Sequence, residues 1–335
     1  MSPPEASPKA GPEAAREAPP EPPPEPQRDG RIANPLRGIA LKLVSVGVFM
    51  AMAALIKIVA PTVPAGEVVF FRSAFAVPVI LVWLMATHSL RVGIETHNFM
   101  GHLWRGLAGT TAMGFAFFGY GLLPLPEVTA LGFAAPILTV IFAAMFLGEE
   151  VRAFRLIAVA IGMAGVLIIL SPRLGALPAA GAGSREALGA VSVLTGAVFA
   201  ALAQVFVRKL VSNERTSAIV FYFSINSALL SLVTLPMGWV WPDGETFALL
   251  VLCGLLGGIG QIFLTACYRY ADASVVAPFD YAAMVLSIVI GYVGFGEVPS
   301  SRVLLGACVV IAAGILIIWR ERQLGLERAR ASRAL

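Results

Sequence analysis

The sequence predicts an all-α polytopic membrane protein with ten transmembrane helices arranged as two inverted five-helix repeats. Three observations predict it. Of 335 residues, 58% are hydrophobic and only 13% charged, too little charge to cover a soluble protein of this length. Apolar runs of about 20 residues, the length that crosses about 30 Å of hydrocarbon, recur at 38–59, 66–86, 104–123, 127–147, 154–171, 188–210, 216–236, 247–268, 274–295 and 302–319. The second half also repeats the first at a shift near 150 residues, and a repeat that crosses five times leaves its twin upside down.

Taken along the chain, residues 1–35 form a Pro/Glu-rich segment without an apolar stretch. It reads as a disordered cytoplasmic tail, not a signal peptide. The first span carries Lys42 and Lys57 near opposite ends, where both are expected to snorkel to their interfaces. The second holds Glu67 and Arg72. Arg72 lies about 9 Å along the helix from its outer end. Arginine keeps its proton and needs an acceptor, and Glu67 and Glu127 are the nearest in sequence. A structural pair and recognition of an anionic substrate group by the guanidinium are both open. His88, His97 and His102 lie in or beside the next connector, at spacings of nine and five that match no helical ligand pair, and are expected in a solvated loop. No metal site is expected.

Glycines crowd the third span (Gly106, Gly109, Gly114) and the eighth (Gly254, Gly257, Gly258, Gly260), where they allow close helix packing. Tyr120 closes the third span. The fourth ends in Gly148-Glu149, and Arg152 is the natural partner for Glu149. Residues 172–187 make an external linker between the repeats (36–171 and 188–320), and 321–335 a basic cytoplasmic tail. Gln204, Asn226 and Gln261 are single amides in apolar spans. Such residues often only bond a neighbouring helix, but Gln204 and Gln261 share a depth with Asp280. In the ninth span Pro278 removes a backbone donor just before Asp280 and Tyr281. Freed carbonyls beside a carboxylate suit a cation or proton site; pairing of Asp280 with Arg269 is the alternative. Tyr281 neighbours Asp280 and suits stacking on a ligand. Glu297 closes that span and reads as structural.

Charge orients the chain. With a cytoplasmic N-terminus, the inside holds 17 Lys and Arg and the outside only Arg173, Arg185 and Arg302, which places both termini inside. The net charge of +4 is thus a topology signal and not a nucleic-acid one.

The repeat is visible residue by residue. Phe49, Ala51, Ala53 and Phe71 match Phe199, Ala201, Ala203 and Phe221 at a shift of 150. Gly106, Gly109, Phe115 and Tyr120 match Gly254, Gly257, Phe263 and Tyr268 at 148, as do Gly148-Glu149 and Gly296-Glu297. The Leu-Ile-Ile at 167–169 returns at 316–318. With spans closing in Gly-Glu, then a short polar link and a Gly-bearing last span, residues 36–320 resemble the EamA-type carriers of the drug/metabolite transporter superfamily. That resemblance implies a substrate cavity between two inverted bundles and transport of a small metabolite or drug-like solute by alternating access. The "APFDY" of the ninth span is similar to a subgroup that includes riboflavin and S-adenosylmethionine carriers. Substrate-site candidates are Arg72, Tyr120, Gln204, Asn226, Gln261, Asp280 and Tyr281, with Asp280 and Glu67 as candidates for proton coupling.

Other classes fit less well. The chain has no Gly-Lys-Ser/Thr phosphate loop, and no span holds the paired ionisable groups of a membrane-embedded enzyme. Three cysteines (Cys253, Cys267, Cys308) form no CxxC pair, so neither a zinc site nor a disulfide is expected. No cofactor is expected. The expected partners are a small-molecule substrate and the lipid of an inner (plasma) membrane; a homodimer and a non-transporting scaffold or sensor stay open.

Overall fold

The computed structural model describes residues 34–147, 153–174, 182–211, 214–271 and 273–331. Among these every regular element is helical. The N-terminal tail, Glu149, Arg152 and most of the linker fall outside the described residues.

Ten long rods carry the fold: α1 Pro35–Val59, α2 Ala65–Ala86, α3 Phe99–Tyr120, α4 Leu125–Phe146, α5 Ala153–Leu174, α6 Ala182–Val211, α7 Thr216–Met237, α8 Gly244–Tyr270, α9 Ala277–Phe295 and α10 Ser301–Ala331. Their starts follow ordinary capping chemistry. Asn34 Oδ1 accepts the Arg37 N–H ahead of Pro35, Asn98 Oδ1 accepts that of Gly101, and Asp243 Oδ1 that of Thr246. Pro64 and Pro124 precede α2 and α4. Gly296, at φ +65°, ends α9 in the left-handed conformation that glycine tolerates. α2 is interrupted at Phe75 and α4 at Phe133, and α9 begins as a 3₁₀ turn through Pro278.

Eight of the rods are long and apolar enough to cross a bilayer; α3 and α5 are the other two, α5 with an apolar core of 156–172. The protein is a multi-pass α-helical membrane protein. Large side chains such as Val82, Met145, Leu188 and Val293 are exposed on the outer faces, as lipid contact requires. The helix of α10 continues past its span to Ala331, through the first part of the basic C-terminal segment.

The helices pair in a regular way. α1 lies on α8 and α3 on α6; α2 touches α8 and α3 touches α7; α1 touches α9 and α4 touches α6; α2 meets α7, α4 meets α9 and α5 meets α10, while the α2–α3, α5–α6 and α4–α10 contacts have no comparable counterpart five places on. Exchanging each helix with the one five places on reproduces the first nine of these pairings. Glycines set the closest crossings. A Cβ on Gly306 would stand 2.6 Å from the Gly165 carbonyl oxygen, which brings α5 and α10 into backbone contact, and one on Gly254 would stand 2.8 Å from the Phe71 oxygen of α2.

Candidate functional site: polar groups in the helical interior

Two arginines with buried guanidinium nitrogens meet on one aromatic ring. Arg72, eighth residue of α2, is 5% exposed, and its Nε has no hydrogen-bond partner. Arg105, in the first third of α3, has Nε and Nη1 buried and unpartnered. Both guanidiniums lie against the ring of Phe223 on α7, with Cζ of Arg105 at 3.5 Å and of Arg72 at 5.7 Å from its centroid. Glycines leave the room: a Cβ on Gly109 would stand 2.7 Å from Arg105 Nη1, and one on Gly257 3.1 Å from Arg72 Nε. These two glycines correspond across the internal repeat.

Among the described residues neither arginine forms an ion pair. Glu67, 1% exposed, instead accepts the Val240 N–H at 3.0 Å, joining the start of α2 to the segment before α8. Sequence reasoning missed Arg105, because a charge two residues into a span looks interfacial. The available signal was its place one turn before Gly109.

The lysines of α1 also depart from expectation, because neither snorkels. Lys42 is buried, and its Nζ lies 2.7 Å from Asp280 Oδ1, whose side chain is 51% exposed. Asp280 therefore turns toward the core. Lys57 lies 2.8 Å from Glu297 Oε1 and donates to the carbonyls of Leu123 (2.6 Å) and Tyr120 (3.3 Å), while Glu297 Oε2 accepts the Leu125 N–H. α1 and α9 are thus pinned by a lysine–carboxylate pair at each end, and Glu297 does more than close a helix.

The amides divide. Asn226 donates to the His102 carbonyl at 3.1 Å and packs on Gly106, tying α7 to α3. Gln204 is exposed, yet at 100° per residue it shares the helical face of Val193 and Ala197, which are 3% and 4% exposed. Gln261, half-buried, shares the face of the fully buried Leu250 on α8. Tyr120 packs where three core clusters meet. Tyr281 stands edge-on to Phe133, ring centroids 5.1 Å apart, with its hydroxyl against Gly314. Arg72 and Arg105 are brought together, and so are Asp280 and Lys42; Tyr120, Asn226 and Tyr281 are held by packing around them.

His102 corrects the solvated-loop expectation. It is fully buried on α3, its ring 4.8 Å from that of Tyr222 and its Nε2 3.5 Å from Glu214 Oε2. Glu214, in the connector before α7, accepts from the N–H groups of His97 and Asn98 and the Thr96 hydroxyl. Burial pushes its carboxyl up, and these three donors together with the His102 ring outweigh that and hold it below its ordinary value. No cluster that could hold a metal ion occurs among the described residues.

A cavity of about 420 Å³ lies at the other end of the bundle, bordered by Ile56, Val63, Val68, Phe117, Arg185 and Val240. Val68 is one helical turn from Arg72.

A multi-pass helical bundle that keeps cations, carboxylates and amides inside its helical layer, beside an opening, is built to handle a polar solute within the membrane. The chain belongs to the EamA-like transporter family, whose model matches residues 36–171 and 187–319, and it is a small-solute transporter. It is 30% identical to the pseudopaline exporter CntI of Pseudomonas aeruginosa over 84% of this chain and 95% of that protein. It is 29% identical to the S-adenosylmethionine uptake transporter of Rickettsia felis (77% and 84%) and to the riboflavin transporter of Rhizobium johnstonii (77% and 82%). A solved crystal structure at 20% identity shares the fold, with a TM-score of 0.60 over 86% of this chain and 98% of that one.

Proposed function

We propose that the protein is a secondary carrier of a small metabolite, working by alternating access between two inverted repeats, 36–171 and 188–320. All ten rods serve as spans, both termini face the cytoplasm, and the site lies among Arg72, Arg105, Gln204, Gln261 and Asp280. The observation that carries this reading is the group of nine helix pairings, the three most extensive among them, that is unchanged when each helix is exchanged with the one five places on. A pseudo-two-fold between five-span repeats predicts such a list, and an odd span number makes the repeats antiparallel. Two carboxylates support it further. Glu67 of the first repeat binds the segment before α8 of the second, and Glu214 of the second binds the segment before α3 of the first.

Relatives named for export and for uptake are similarly close, so direction is a separate question from fold. The test has two parts. Counterflow in proteoliposomes against a metabolite panel that includes S-adenosylmethionine and riboflavin should show one saturable solute. Impermeant labelling of a cysteine placed in 172–187 should report the side opposite to both termini. Labelling of that linker from the same side as a terminus rejects the inverted arrangement.

A further inference from the structure

We propose that the carried solute bears an oxyanion group, carboxylate or phosphate, held between the guanidiniums of Arg72 and Arg105. This deepens the carrier reading above and rests on it for the word "carried", not for the binding site.

The argument is one of charge balance. Arginine keeps its proton in any protein environment, so two positive charges stand inside the helical layer. Their Cζ atoms are no farther apart than the sum of their distances to one ring centroid. Like charges at that range repel, more strongly away from water. Among the described residues no carboxylate pairs with either, and buried N–H groups on both lack acceptors. The Phe223 ring offers both guanidiniums a π-face, but a ring face cannot satisfy in-plane N–H donors. An oxyanion can, because its oxygens match the planar fork of a guanidinium.

The pair is also held in place. Asn226 donates to the His102 carbonyl and the Thr110 hydroxyl to Ser227 Oγ at 2.8 Å. These bonds lock α3, which carries Arg105, onto α7, which carries Phe223. Gly109 and Gly257 keep the volume around the guanidiniums clear, since a side chain at either would press on one of them. Val68, one turn from Arg72, borders the 420 Å³ cavity, whose lining stops short of both arginines.

The test is a thermal-shift titration of detergent-purified full-length protein in phosphate-free buffer. Succinate and glycerol 3-phosphate are the oxyanion probes; succinamide and putrescine are the neutral and cationic controls. Stabilisation by one or both oxyanions and by neither control is the expected result, since ligands that bind only the folded state raise its stability. Arg72→Gln and Arg105→Gln should each raise the dissociation constant at least tenfold, and Arg105→Lys, which keeps charge but loses the fork, should fall between. In probe-free buffer the Gln variants should be no less stable than wild type, because each removes an unbalanced charge. A structural role for the arginines predicts the reverse: lower probe-free stability with an unchanged probe response. That result overturns the proposal, as does wild-type protein that responds equally to succinamide or to no oxyanion. Binding in detergent is blind to transport. A protein that binds oxyanions yet carries nothing in liposomes therefore rejects only the carrier reading.

Discussion

Replacing Asp280 by Asn should destabilise the protein more than removing its partner Lys42. Lys42 is 3% exposed at the side chain and has Asp280 at 2.7 Å, whereas Asp280 is 51% exposed. In Asp280→Asn an ammonium is left in the core without its carboxylate. Breaking a fully buried pair costs about 3–5 kcal/mol; the half-exposure of Asp280 reduces this to about 2–3 kcal/mol. In Lys42→Met the charge is replaced by an apolar chain of similar length, and Asp280 keeps its contact with water, so the cost is under about 1 kcal/mol. The double variant should recover most of the Asp280→Asn loss. For a helical body of this size, about 2–3 kcal/mol corresponds to about 3–5 °C in melting midpoint. Thermal unfolding of the four proteins in one detergent, at one scan rate, reads this directly. An Asp280→Asn variant as stable as wild type, or a double variant no better than it, refutes the idea that Asp280 holds the Lys42 charge. The cycle also separates transport from folding: a transport loss in the double variant that outlasts its recovered stability belongs to the site.

Three further outcomes are expected. Glu297→Gln should lower stability by about 1–3 kcal/mol, because Glu297 meets both Lys57 and the Leu125 N–H; thermal unfolding checks it, and Glu297→Asp should not restore both contacts. The Glu214 carboxyl lies below its ordinary value of 4.5, so its stabilisation is complete above that value and is lost as pH falls through the lower, folded one. Wild type should therefore lose stability between about pH 5 and pH 3 more steeply than Glu214→Gln, as read from melting midpoints across that range. Gly306→Ala, whose new Cβ would stand 2.6 Å from the Gly165 oxygen, should cost about 1–3 kcal/mol by forcing α5 and α10 apart; Gly47→Ala, which meets open space, should be neutral or stabilising.

Much of the architecture was legible because it rests on local and repeated signals. Apolar runs set the spans, and most described helices begin and end within a few residues of them, although α3 and α6 start five and six residues earlier and α10 continues twelve residues further. Asn34, Asn98 and Asp243 cap helices by contacts three residues long. The matched Gly-Glu closures and Leu-Ile-Ile endings announced the repeat. The amides Gln204 and Gln261 were legible only as polar residues in apolar spans; the structure leaves Gln204 exposed and Gln261 half-buried.

Partner choice was not legible. Lys42 and Asp280 are on helices at opposite ends of the sequence, as are Lys57 and Glu297, and at sequence level each lysine looks free to reach its own interface. Arg72 had two carboxylates nearby in sequence, yet its neighbours in space are Arg105, Phe223 and Gly257, drawn from three other helices. His102 was assigned to a loop by its spacing from His88 and His97, although the Tyr222 ring and Glu214 enclose it. A helix is decided by bonds four residues apart and by the polarity of each side chain, so the sequence alone determined the number, length and kinship of these elements. Which charge meets which is decided by crossings between helices remote in the chain, and an ionised group in an apolar layer takes its energy almost wholly from those neighbours; only the tertiary structure could settle that the lysines of α1 are paired and that two arginines share one ring.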